Sequence, residues 1–484
     1  MRDLTGITTS PIEGFRASLM TQDHLADLRA GLIGEGVMID GPCGQKPLVY
    51  ADYTASGRAL MQVERFVMEQ VLPFYANSHT EASFCGGAMT RMRAEARATI
   101  AQVCGAGPDH AVIFCGAGAT AGINRLVALL GADDRTTPVR VILGPYEHHS
   151  NILPWRDSGA EVVTLPEAPA GGPDRAALAD ALASAPGRVI CAFSAASNIT
   201  GIVADVESLT RQVKAAGAIM VWDYAGGGPY LPIHMTPAPD APIDAIVTSP
   251  HKFTGGPAAS GVMILRRDAV RSRTPTWPGG GTVRFVSPSS HDYSSSLEAR
   301  EEAGTPDVIG DIRAALAFAV KDAIGTDTIT ARNHALVAKA EARWRHHPRI
   351  DLLGPNLPDR LPILSFRIRD GQGGHVHQQL VTRMLSDHYG IQARGGCACA
   401  GPYVHELLGI DAATSDTLRD AILSGQEVAK PGFTRLNLSV LMTDSKVDFI
   451  LDSLCDLADR ASGLVTLYEC DPRRAIFSPK AMPA

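Results

Sequence analysis

The chain has 484 residues, of which 45% are hydrophobic and 20% are charged, and its formal net charge at pH 7 is −7. Charges of both signs are scattered along it, so it lacks the basic field that binds nucleic acid or an anionic membrane, and neither partner is expected. The start, "MRDLTGITTSPIEGF", lacks the apolar core of a secretory signal, and no run of about 18 apolar residues predicts a membrane span. Nine cysteines, an odd number without a signal, favour reduced thiols in the cytoplasm over a disulfide framework.

Short apolar segments rich in Val, Ile and Leu alternate with Ala-rich amphipathic segments between about residues 48 and 310. The strand candidates, in chain order, are "AVIF" (111–114), "VRVILG" (139–144), "RVICAFS" (188–194), "AIMVWD" (218–223), "AIVTS" (245–249) and "GVMIL" (261–265). Helix patterns such as "TAGINRLVALLG" and "VESLTRQVKAAG" lie between them. This alternation predicts an α/β large domain with a mostly parallel sheet and helices on both faces.

The remainder of the chain has a different order of elements, which predicts a smaller α+β domain. A long helix is predicted over 329–346, followed by a strand at "PILSFRIR", a helix near 376–389, a glycine-rich loop, a strand at "FTRLNLSV" and a helix near 445–460. We therefore expect an N-terminal segment that packs on the small domain, a large domain and a small C-terminal domain, at residues 1–45, 46–325 and 326–484.

Ligands of an open α/β sheet bind at the carboxyl ends of its strands, so the residues after each apolar run are informative. The glycine-rich turn after "AVIF" opens a helix, where free N–H groups suit a phosphate. Gly116, Gly118 and Gly122 are spaced close to the dinucleotide pattern GxGxxG, which is weak alone because no acidic residue at a following strand end completes it. A dinucleotide, another phosphate and a turn without ligand all remain open.

Other strand ends carry residues that suit a flat, charged cofactor. "PYEHHSNILPW" offers adjacent histidines, which suit a metal, a ring stacked on a cofactor or a solvated surface. Asp223 ends "AIMVWD" and suits a cationic ring nitrogen. Lys252, in "SPHKFTGGPAAS", lies between two predicted strands, where a desolvated lysine suits Schiff-base chemistry and an exposed one is ordinary surface.

The segment "QARGGCACAGPYVHELLG" places Cys397 and Cys399 one residue apart among glycines and alanines. By themselves these thiols suit metal ligation, a redox pair, a nucleophile with a neighbour or small-residue packing. A zinc site would need two further ligands, for which His405 and Cys85 are the candidates, and no metal site is predicted.

From "LVYADYTASG" (48–57) to "FTRLNLSVLMTDSKVDFIL" (433–451), the chain resembles the fold-type I pyridoxal-phosphate (PLP) enzymes of the class V aminotransferase superfamily. "SPHK" before "GGPAASGVMIL" is similar to the Ser-x-His-Lys of that superfamily and to the glycine-rich strand that follows it. The narrower resemblance is to the cysteine desulfurase and selenocysteine lyase branch. It implies PLP as the cofactor and a seven-stranded, mostly parallel sheet in a large PLP-binding domain.

The resemblance implies roles for residues around the cofactor. Lys252 would hold PLP as a Schiff base and move the substrate's α-proton, Asp223 would pair with the ring nitrogen, and His148 would stack on the ring. Asn198 would reach the ring hydroxyl and the substrate carboxylate. The phosphate would be bound by the Ala119 amide, Thr120, Ser249 and His251.

The resemblance also implies a dimer and a nucleophile. "EEAGTP" is similar to a segment that crosses the dimer interface in this family, so Thr305 would reach the partner subunit's phosphate in a homodimer with shared sites. The nucleophile-loop pattern Arg-x-Gly-x-x-Cys-Ala fits "RGGCACA" from Arg394, which makes Cys399 the thiol that takes sulfur, or selenium, and leaves alanine. Arg435 would hold the carboxylate of the amino-acid substrate, with Arg394 assisting. A sulfur-acceptor protein is a candidate partner.

Several positions depart from the family pattern. Gly226 stands where a glutamine is usual, Pro250 stands where a glycine is common, and Cys397 and Ala398 replace bulkier residues. Cys397 either resolves a persulfide as a disulfide or packs as a small residue. The long interval after the cysteines predicts an inserted helical segment at about 403–431.

Other functions stay open at this point. Another class V reaction, such as C–S β-elimination, transamination or epimerisation of a different amino acid, would make Cys399 dispensable. A nicotinamide-dependent dehydrogenase would use "GAGATAG" as its dinucleotide turn. A PLP-fold scaffold without activity is disfavoured by the intact Lys252.

Overall fold

The computed structural model describes residues 10–78, 81–354 and 359–480. The chain divides into two compact units. The large unit comprises Met1–Ile33, Ser56–Ala195 and Ala204–Thr328, and the small unit comprises Gly34–Ala55, Ala196–Val203 and Ile329–Ala484. Each unit is therefore assembled from segments that are distant in the sequence.

The strands are short, and most of those in the large unit are buried. In chain order they are β1 (Met38–Ile39), β2 (Lys46–Pro47), β3 (Val49–Tyr50), β4 (His110–Gly116), β5 (Val139–Leu143), β6 (Glu161–Thr164), β7 (Arg188–Ser194), β8 (Ile219–Asp223), β9 (Ala245–Thr248), β10 (Gly261–Arg266), β11 (Val283–Val286), β12 (His291–Tyr293), β13 (Ile350–Leu352), β14 (Ile363–Ile368), β15 (Ile391–Gln392), β16 (Arg394–Gly396), β17 (Phe433–Asn437), β18 (Tyr468–Asp471) and β19 (Ile476–Pro479).

The helices range from a single turn to more than five turns. In chain order they are α1 (Pro11–Leu19), α2 (His24–Ala30), α3 (Met61–Phe66), α4 (Phe84–Val103), α5 (Gly118–Leu129), α6 (Leu153–Ser158), α7 (Arg175–Ala183), α8 (Val206–Ala215), α9 (Leu297–Glu301), α10 (Val308–Ile324), α11 (Thr326–Trp344), α12 (Gln378–Tyr389), α13 (Gly401–Leu408), α14 (Ala412–Leu423) and α15 (Asp444–Leu464). Short 3-10 turns include His149–Asn151, Pro250–Lys252 and Glu427–Ala429.

In the described part of the large unit, seven strands form one sheet in the order β4-β10-β9-β8-β7-β5-β6. β10 runs antiparallel to β4 and β9, whereas the neighbours from β9 to β6 are parallel. The α/β class, the mostly parallel sheet and the six predicted strands are confirmed. β6 ("EVVT") escapes prediction because a partly exposed edge strand with a glutamate and a threonine lacks the apolar run of a central strand.

Both faces of the central strands are buried, which is typical of a parallel sheet covered by helices. On β8, Val221 and Trp222 point to opposite faces and both are fully buried. Trp222 Nε1 donates a hydrogen bond to Thr210 Oγ1 of α8 at 2.9 Å, which fixes that helix on the sheet. Helix α5 packs on β9 and β10, and a Cβ at its Gly122 would come within 2.8 Å of Val247 Cγ1. The helix therefore approaches the sheet as closely as only glycine permits.

The small unit contains the predicted α+β arrangement. Its four-stranded sheet is antiparallel in the order β13-β14-β17-β16. Trp344 of α11, Phe366 of β14 and Leu454 of α15 belong to one buried apolar cluster, and Trp344 Nε1 donates to Leu451 O at 3.0 Å. The register of β16 and β17 pairs the backbone of Arg394 with that of Arg435.

The N-terminal segment differs from its prediction. Residues 1–9 lie outside the described residues, and helix α1 belongs to the large unit, where it packs on α4 and α10. Its buried Phe15 meets the Phe66 ring edge-on at 5.3 Å, and Ile12 N donates to Glu95 Oε1 at 2.7 Å. The expectation that residues 1–45 pack as one segment on the small domain therefore differs from the structure over residues 10–33, because the apolar face of α1 is buried by helices of the large unit.

Candidate active site

The carboxyl ends of five strands meet at one edge of the large-unit sheet. β5, β7, β8 and β9 are parallel, and β4 points the same way because β10 is antiparallel to both β4 and β9. Asp223 is the last residue of β8, and the chain after the other strand ends supplies Gly118, His148 and Ser249, with Lys252 one turn beyond Ser249. The fold thus brings the predicted large-unit cofactor residues to a single edge, where α/β enzymes bind their ligands.

The first turn of α5 forms an anion cradle, by which we mean Gly118, Ala119, Thr120 and Ser249. The helix is preceded by Ala117, whose side chain provides no cap for the N–H groups of the first turn. Ala119 N donates to Ser249 Oγ at 2.9 Å, and Thr120 Oγ1 lies 2.7 Å from Ser150 Oγ. These donors and hydroxyl groups suit a phosphate.

The anion cradle leaves no room for a side chain at Gly118, and the backbone there has a conformation that favours glycine. Its φ is +62°, in the left-handed region that favours glycine, and a Cβ there would lie 2.8 Å from Ser249 Oγ. The His251 ring is also close, at 3.3 Å from the same Cβ position. Burial lowers the pKa of His251, and the charge of Lys252 lowers it further, so this imidazole is neutral at pH 7.

Asp223 ends β8 as a buried carboxylate. Ala225 N donates to its Oδ1 at 2.7 Å. Burial raises the pKa of Asp223, whereas that hydrogen bond and the charge of Lys252 oppose the rise. A buried carboxylate is stabilised in its ionised form by a cation in contact with it, and a protonated pyridine nitrogen is such a cation.

Two side chains of this edge are oriented by short turns. Lys252 is half-buried and ends the 3-10 turn that follows β9, as the sequence predicts for a lysine between two strands. His148 caps the turn His149–Asn151, and Ser150 N donates to its Nδ1 at 3.1 Å. Because Nδ1 accepts, the proton of the neutral ring is on Nε2, and the ring orientation is fixed.

Glu147 is a buried residue of this edge that the sequence reading missed. Its carboxylate accepts hydrogen bonds from Ser194 N at 2.8 Å, Ser194 Oγ at 2.6 Å and Asn151 Nδ2 at 2.6 Å. It therefore ties the loop that carries His148 to the end of β7, whose Ser194 pairs with Asp223. Burial raises the pKa of Glu147 to about 7 against these three hydrogen bonds. Its position after a buried strand was the available signal, and the adjacent histidines obscured it.

In the small unit, Asp52 lies between the two predicted carboxylate-binding arginines. Arg394 Nε donates to Asp52 Oδ2 at 2.9 Å, and Arg435 Nη2 donates to Asp52 Oδ1 at 3.2 Å. Asp52 and Arg435 are buried, whereas Arg394 is exposed. Two guanidinium groups around one carboxylate leave one positive charge in excess, which suits the carboxylate of a substrate.

Asn198 joins this charge cluster to the nucleophile loop, by which we mean residues 394–400. Its carbonyl oxygen accepts a hydrogen bond from Arg435 Nη1 at 2.9 Å, and its side-chain Nδ2 donates to Ala398 O at 2.9 Å. Its Oδ1 is buried and accepts no hydrogen bond from the described residues. A buried amide oxygen of this kind calls for a donor from a ligand.

The two cysteines lie on a tight turn, Cys397–Ala400, which we call the cysteine turn. Ala400 N donates to Cys397 O at 3.2 Å, and both central residues have left-handed φ angles, 49° at Ala398 and 54° at Cys399. Positive φ at both central positions is typical of a type I′ turn, in which residues other than glycine, asparagine and aspartate are unusual. Cys399 is exposed and Cys397 is half-buried.

The other features predicted from the sequence are Thr305, the 403–431 segment and the zinc-ligand candidate His405. Thr305 is exposed in the loop before α10. The 403–431 segment contains most of α13, all of α14 and the turn Glu427–Ala429, and its buried Tyr403 lies with Oη 3.4 Å from Thr200 Oγ1. His405 uses both ring nitrogens on Gly401 O and Ser415 Oγ. Among the described residues, no group of three His, Cys, Asp or Glu side chains could hold a metal ion.

The fold and these residues define an α/β enzyme whose sheet edge carries a helix start that suits a phosphate group, with a lysine and a buried carboxylate on neighbouring strand ends. The family model for aminotransferase class-V matches residues 49–448, and the chain belongs to this family. The predicted family is thereby confirmed, and the family is one of PLP-dependent enzymes.

Two relatives and one solved structure are similar to this chain over most of its length. The chain is 28% identical over 419 residues to a probable cysteine desulfurase of Streptomyces coelicolor, which covers 84% of this chain and 91% of the relative. It is 31% identical over 368 residues to a probable cysteine desulfurase of Vibrio cholerae, with 74% and 85% covered. The apo structure of a cysteine desulfurase from Thermococcus onnurineus NA1 superposes with a TM-score of 0.72 at 23% identity, covering 90% of this chain and 98% of that one, and supports the fold.

The large-unit residues fit PLP on structural grounds. The anion cradle matches a phosphate, Asp223 matches a cationic ring nitrogen, and Lys252 follows the adjacent strand. In the part of the chain that the structure describes, no helix is long and apolar enough to cross a membrane.

Proposed function

We propose that this protein is a PLP-dependent cysteine desulfurase, which removes sulfur from L-cysteine, or selenium from its selenium analogue, and releases L-alanine. One observation carries this proposal. In the small unit, the turn with the exposed Cys399 thiol is hydrogen-bonded through Asn198 to Arg435, so a nucleophile and a carboxylate-binding guanidinium are held in one network. An enzyme that only eliminates or transfers an amino group has no use for a thiol held in this way.

The large unit would hold the cofactor. Lys252 would bind it covalently, the anion cradle and His251 would bind its phosphate, Asp223 would meet its ring nitrogen, and the oriented His148 ring would stack on it. When bound, PLP supplies an electron sink for the bonds of the substrate's α-carbon. Lys252 is then the group that removes and returns protons beside that carbon.

The small unit would hold and attack the substrate. Arg435, with Arg394 at the surface, would bind the substrate carboxylate through the positive charge that Asp52 leaves in excess. The buried Oδ1 of Asn198 would accept a hydrogen bond from the cofactor or the substrate. Cys399, as its thiolate, would attack the substrate sulfur. The C–S bond breaks, an S–S bond forms on Cys399 and the former β-carbon gains a proton, so L-cysteine and one thiol give L-alanine and one persulfide.

The assembly and the compartment are also part of the proposal. Trp277, Phe285 and Val286 of the large unit are close together in the sequence and are 64%, 55% and 62% exposed, and apolar side chains exposed in this way favour burial against a second copy of the chain. The exposed Thr305 follows them in sequence, and we propose that it reaches the phosphate site of the partner in a homodimer. All nine cysteines are free thiols, which suits a reducing cytoplasm and an onward sulfur acceptor.

A product assay tests the function. Purified holoenzyme is supplied with L-cysteine and a thiol reductant, and alanine, sulfide, pyruvate and ammonia are quantified. We expect alanine and sulfide in equal amounts, both lost in Cys399→Ser and both retained in Cys470→Ser, a control at an exposed cysteine outside the nucleophile loop. Pyruvate and ammonia that survive Cys399→Ser would instead establish β-elimination.

A further inference from the structure

The cysteine turn places a second thiol beside the proposed nucleophile. Cys397 begins the turn and Cys399 is its third residue, and the hydrogen bond from Ala400 N to Cys397 O closes it. A helical residue separates the Cα atoms on its two sides by about 5.4 Å, and a left-handed residue, as its mirror image, gives the same separation. The left-handed Ala398 therefore holds the two cysteines within the Cα separation of roughly 4.4–6.8 Å that a disulfide requires.

The cysteine turn has a backbone conformation that alanine and cysteine disfavour. Left-handed backbone is unfavourable for a residue with a Cβ, and here two consecutive residues, Ala398 and Cys399, adopt it. Asn198 Nδ2 donates to the carbonyl oxygen of Ala398, which belongs to the peptide bond between Ala398 and Cys399. Strained backbone that is held by a hydrogen bond from a half-buried side chain is characteristic of functional sites. Small-residue packing gives no reason for this conformation, since Cys399 is exposed and Cys397 is only half-buried.

We propose that Cys397 is a second catalytic residue, which resolves the Cys399 persulfide and releases sulfide. This inference rests on the proposed desulfurase function and adds a step to it. The single intervening residue makes the reaction intramolecular, so the attacking thiolate is present at a high effective concentration.

The step balances without an external oxidant. The Cys397 thiolate attacks the Sγ of Cys399, the Cys397–Cys399 S–S bond forms, and the bond from Cys399 Sγ to the terminal sulfur breaks. The terminal sulfur takes the electron pair and leaves as hydrosulfide, so it is reduced while the Cys397 sulfur is oxidised, and the Cys399 sulfur keeps its oxidation state. The proton of the Cys397 thiol goes to solvent. A small thiol or dithiol reductant then restores both cysteines by exchange.

A single-turnover experiment tests this step. Wild-type holoenzyme, Cys397→Ser and Cys399→Ser are each mixed with one equivalent of L-cysteine without reductant, alkylated rapidly and analysed for alanine, sulfide and peptide mass. In the wild type we expect one alanine and one sulfide per site, and a Cys397–Cys399 disulfide. In Cys397→Ser we expect one alanine, at least tenfold less sulfide and a persulfide on Cys399.

The outcomes separate the two proposals. A wild-type enzyme that makes alanine and keeps its persulfide as stably as Cys397→Ser overturns the role of Cys397 and leaves the desulfurase function intact. A wild-type enzyme that makes no alanine overturns the desulfurase function itself. If Cys397→Ser fails to fold, the wild-type enzyme alone tests the role of Cys397. A Cys397–Cys399 disulfide after one turnover supports the proposed step, and a lasting persulfide on Cys399 contradicts it.

Discussion

At the scale of single residues, Asp52 governs how the two arginines of the small unit are presented. It bonds Arg394 and Arg435, which lie 342 and 383 residues further along the chain. The sequence could suggest Lys252 and Asp223, because each follows an apolar strand and its chemistry is local. It could not suggest Asp52, because the role of this carboxylate depends on partners that only the folded small unit brings to it.

Replacement of Arg435 tests the carboxylate-binding role. In Arg435→Gln we expect the KM for L-cysteine to rise roughly ten- to a hundredfold, since a hydrogen bond between charged groups contributes about 1.5–3 kcal/mol. The absorbance of bound cofactor should not change, since Arg435 belongs to the small unit. Arg211→Gln, which removes an exposed arginine on α8, is the matched control. An unaltered KM in Arg435→Gln would place the substrate carboxylate elsewhere.

The buried carboxyl group of Glu147 should make the free energy of unfolding depend on pH. Burial raises the pKa of its carboxyl from 4.5 to about 7, so below pH 4.5 the folded and unfolded states are both protonated and its contribution is fully present. As the pH rises to about 7, the unfolded state loses this proton first and stability falls, by on the order of 3 kcal/mol. Glu147→Gln should remove this decline.

The comparison uses unfolding free energies measured by denaturant titration at several pH values. Glu69→Gln, at an exposed glutamate, is the control and should leave the decline in place. Parallel pH profiles for the wild type and Glu147→Gln would show that Glu147 is ionised in the folded protein throughout this range, as its three hydrogen-bond donors favour.

At the scale of elements, a single methyl group added at the start of α5 tests whether the anion cradle contributes to PLP binding. In Gly118→Ala the Cβ would lie 2.8 Å from Ser249 Oγ, so the cradle must open, and we expect the affinity for PLP to fall at least tenfold. Gly217→Ala is a matched control, because its φ is +71° and a Cβ there meets nothing within 4 Å. Both variants carry the left-handed strain, but only Gly118→Ala crowds the cradle. Equal PLP affinity of the two variants, measured by fluorescence titration, would contradict this role of the cradle.

Local sequence patterns predict the long helices and strands of this fold but not the conformation of the cysteine turn. Long apolar or periodic segments, such as β7, α8 and α15, lie where the sequence predicts them, because burial on one or both faces fixes their pattern. The type I′ character of the cysteine turn is not predictable from "CACA", since alanine and cysteine disfavour left-handed backbone. That conformation depends on the Asn198 side chain, which is supplied by a segment about 200 residues away.

At the scale of the whole molecule, the sequence predicted a mostly parallel sheet and a smaller α+β unit, but not how segments are distributed between them. The small unit takes Gly34–Ala55 and Ala196–Val203 from the middle of the large-unit sequence. These two segments carry Asp52 and Asn198, which is why a reading by consecutive domains separated them from the arginines that they contact.

The exposed apolar residues of the large unit predict a dimer that single charges should weaken. In Phe285→Glu we expect the dimer dissociation constant to rise at least tenfold, because a charge would have to be buried in the interface. Leu423→Glu, at a side chain that is 70% exposed on α14, is the control and should have no effect. Sedimentation velocity over a range of concentrations gives both constants. A monomeric wild type would exclude the shared-site homodimer.

The most direct measurement follows the sulfur atom itself. Cys397→Ser holoenzyme, which lacks the neighbouring thiol, is given L-cysteine labelled with a heavy sulfur isotope, and the trapped peptides are analysed by mass spectrometry. We predict that the label is bound to Cys399 in an amount equal to the alanine formed. Alanine or pyruvate formed while Cys399 carries no labelled sulfur would contradict a persulfide mechanism at this residue.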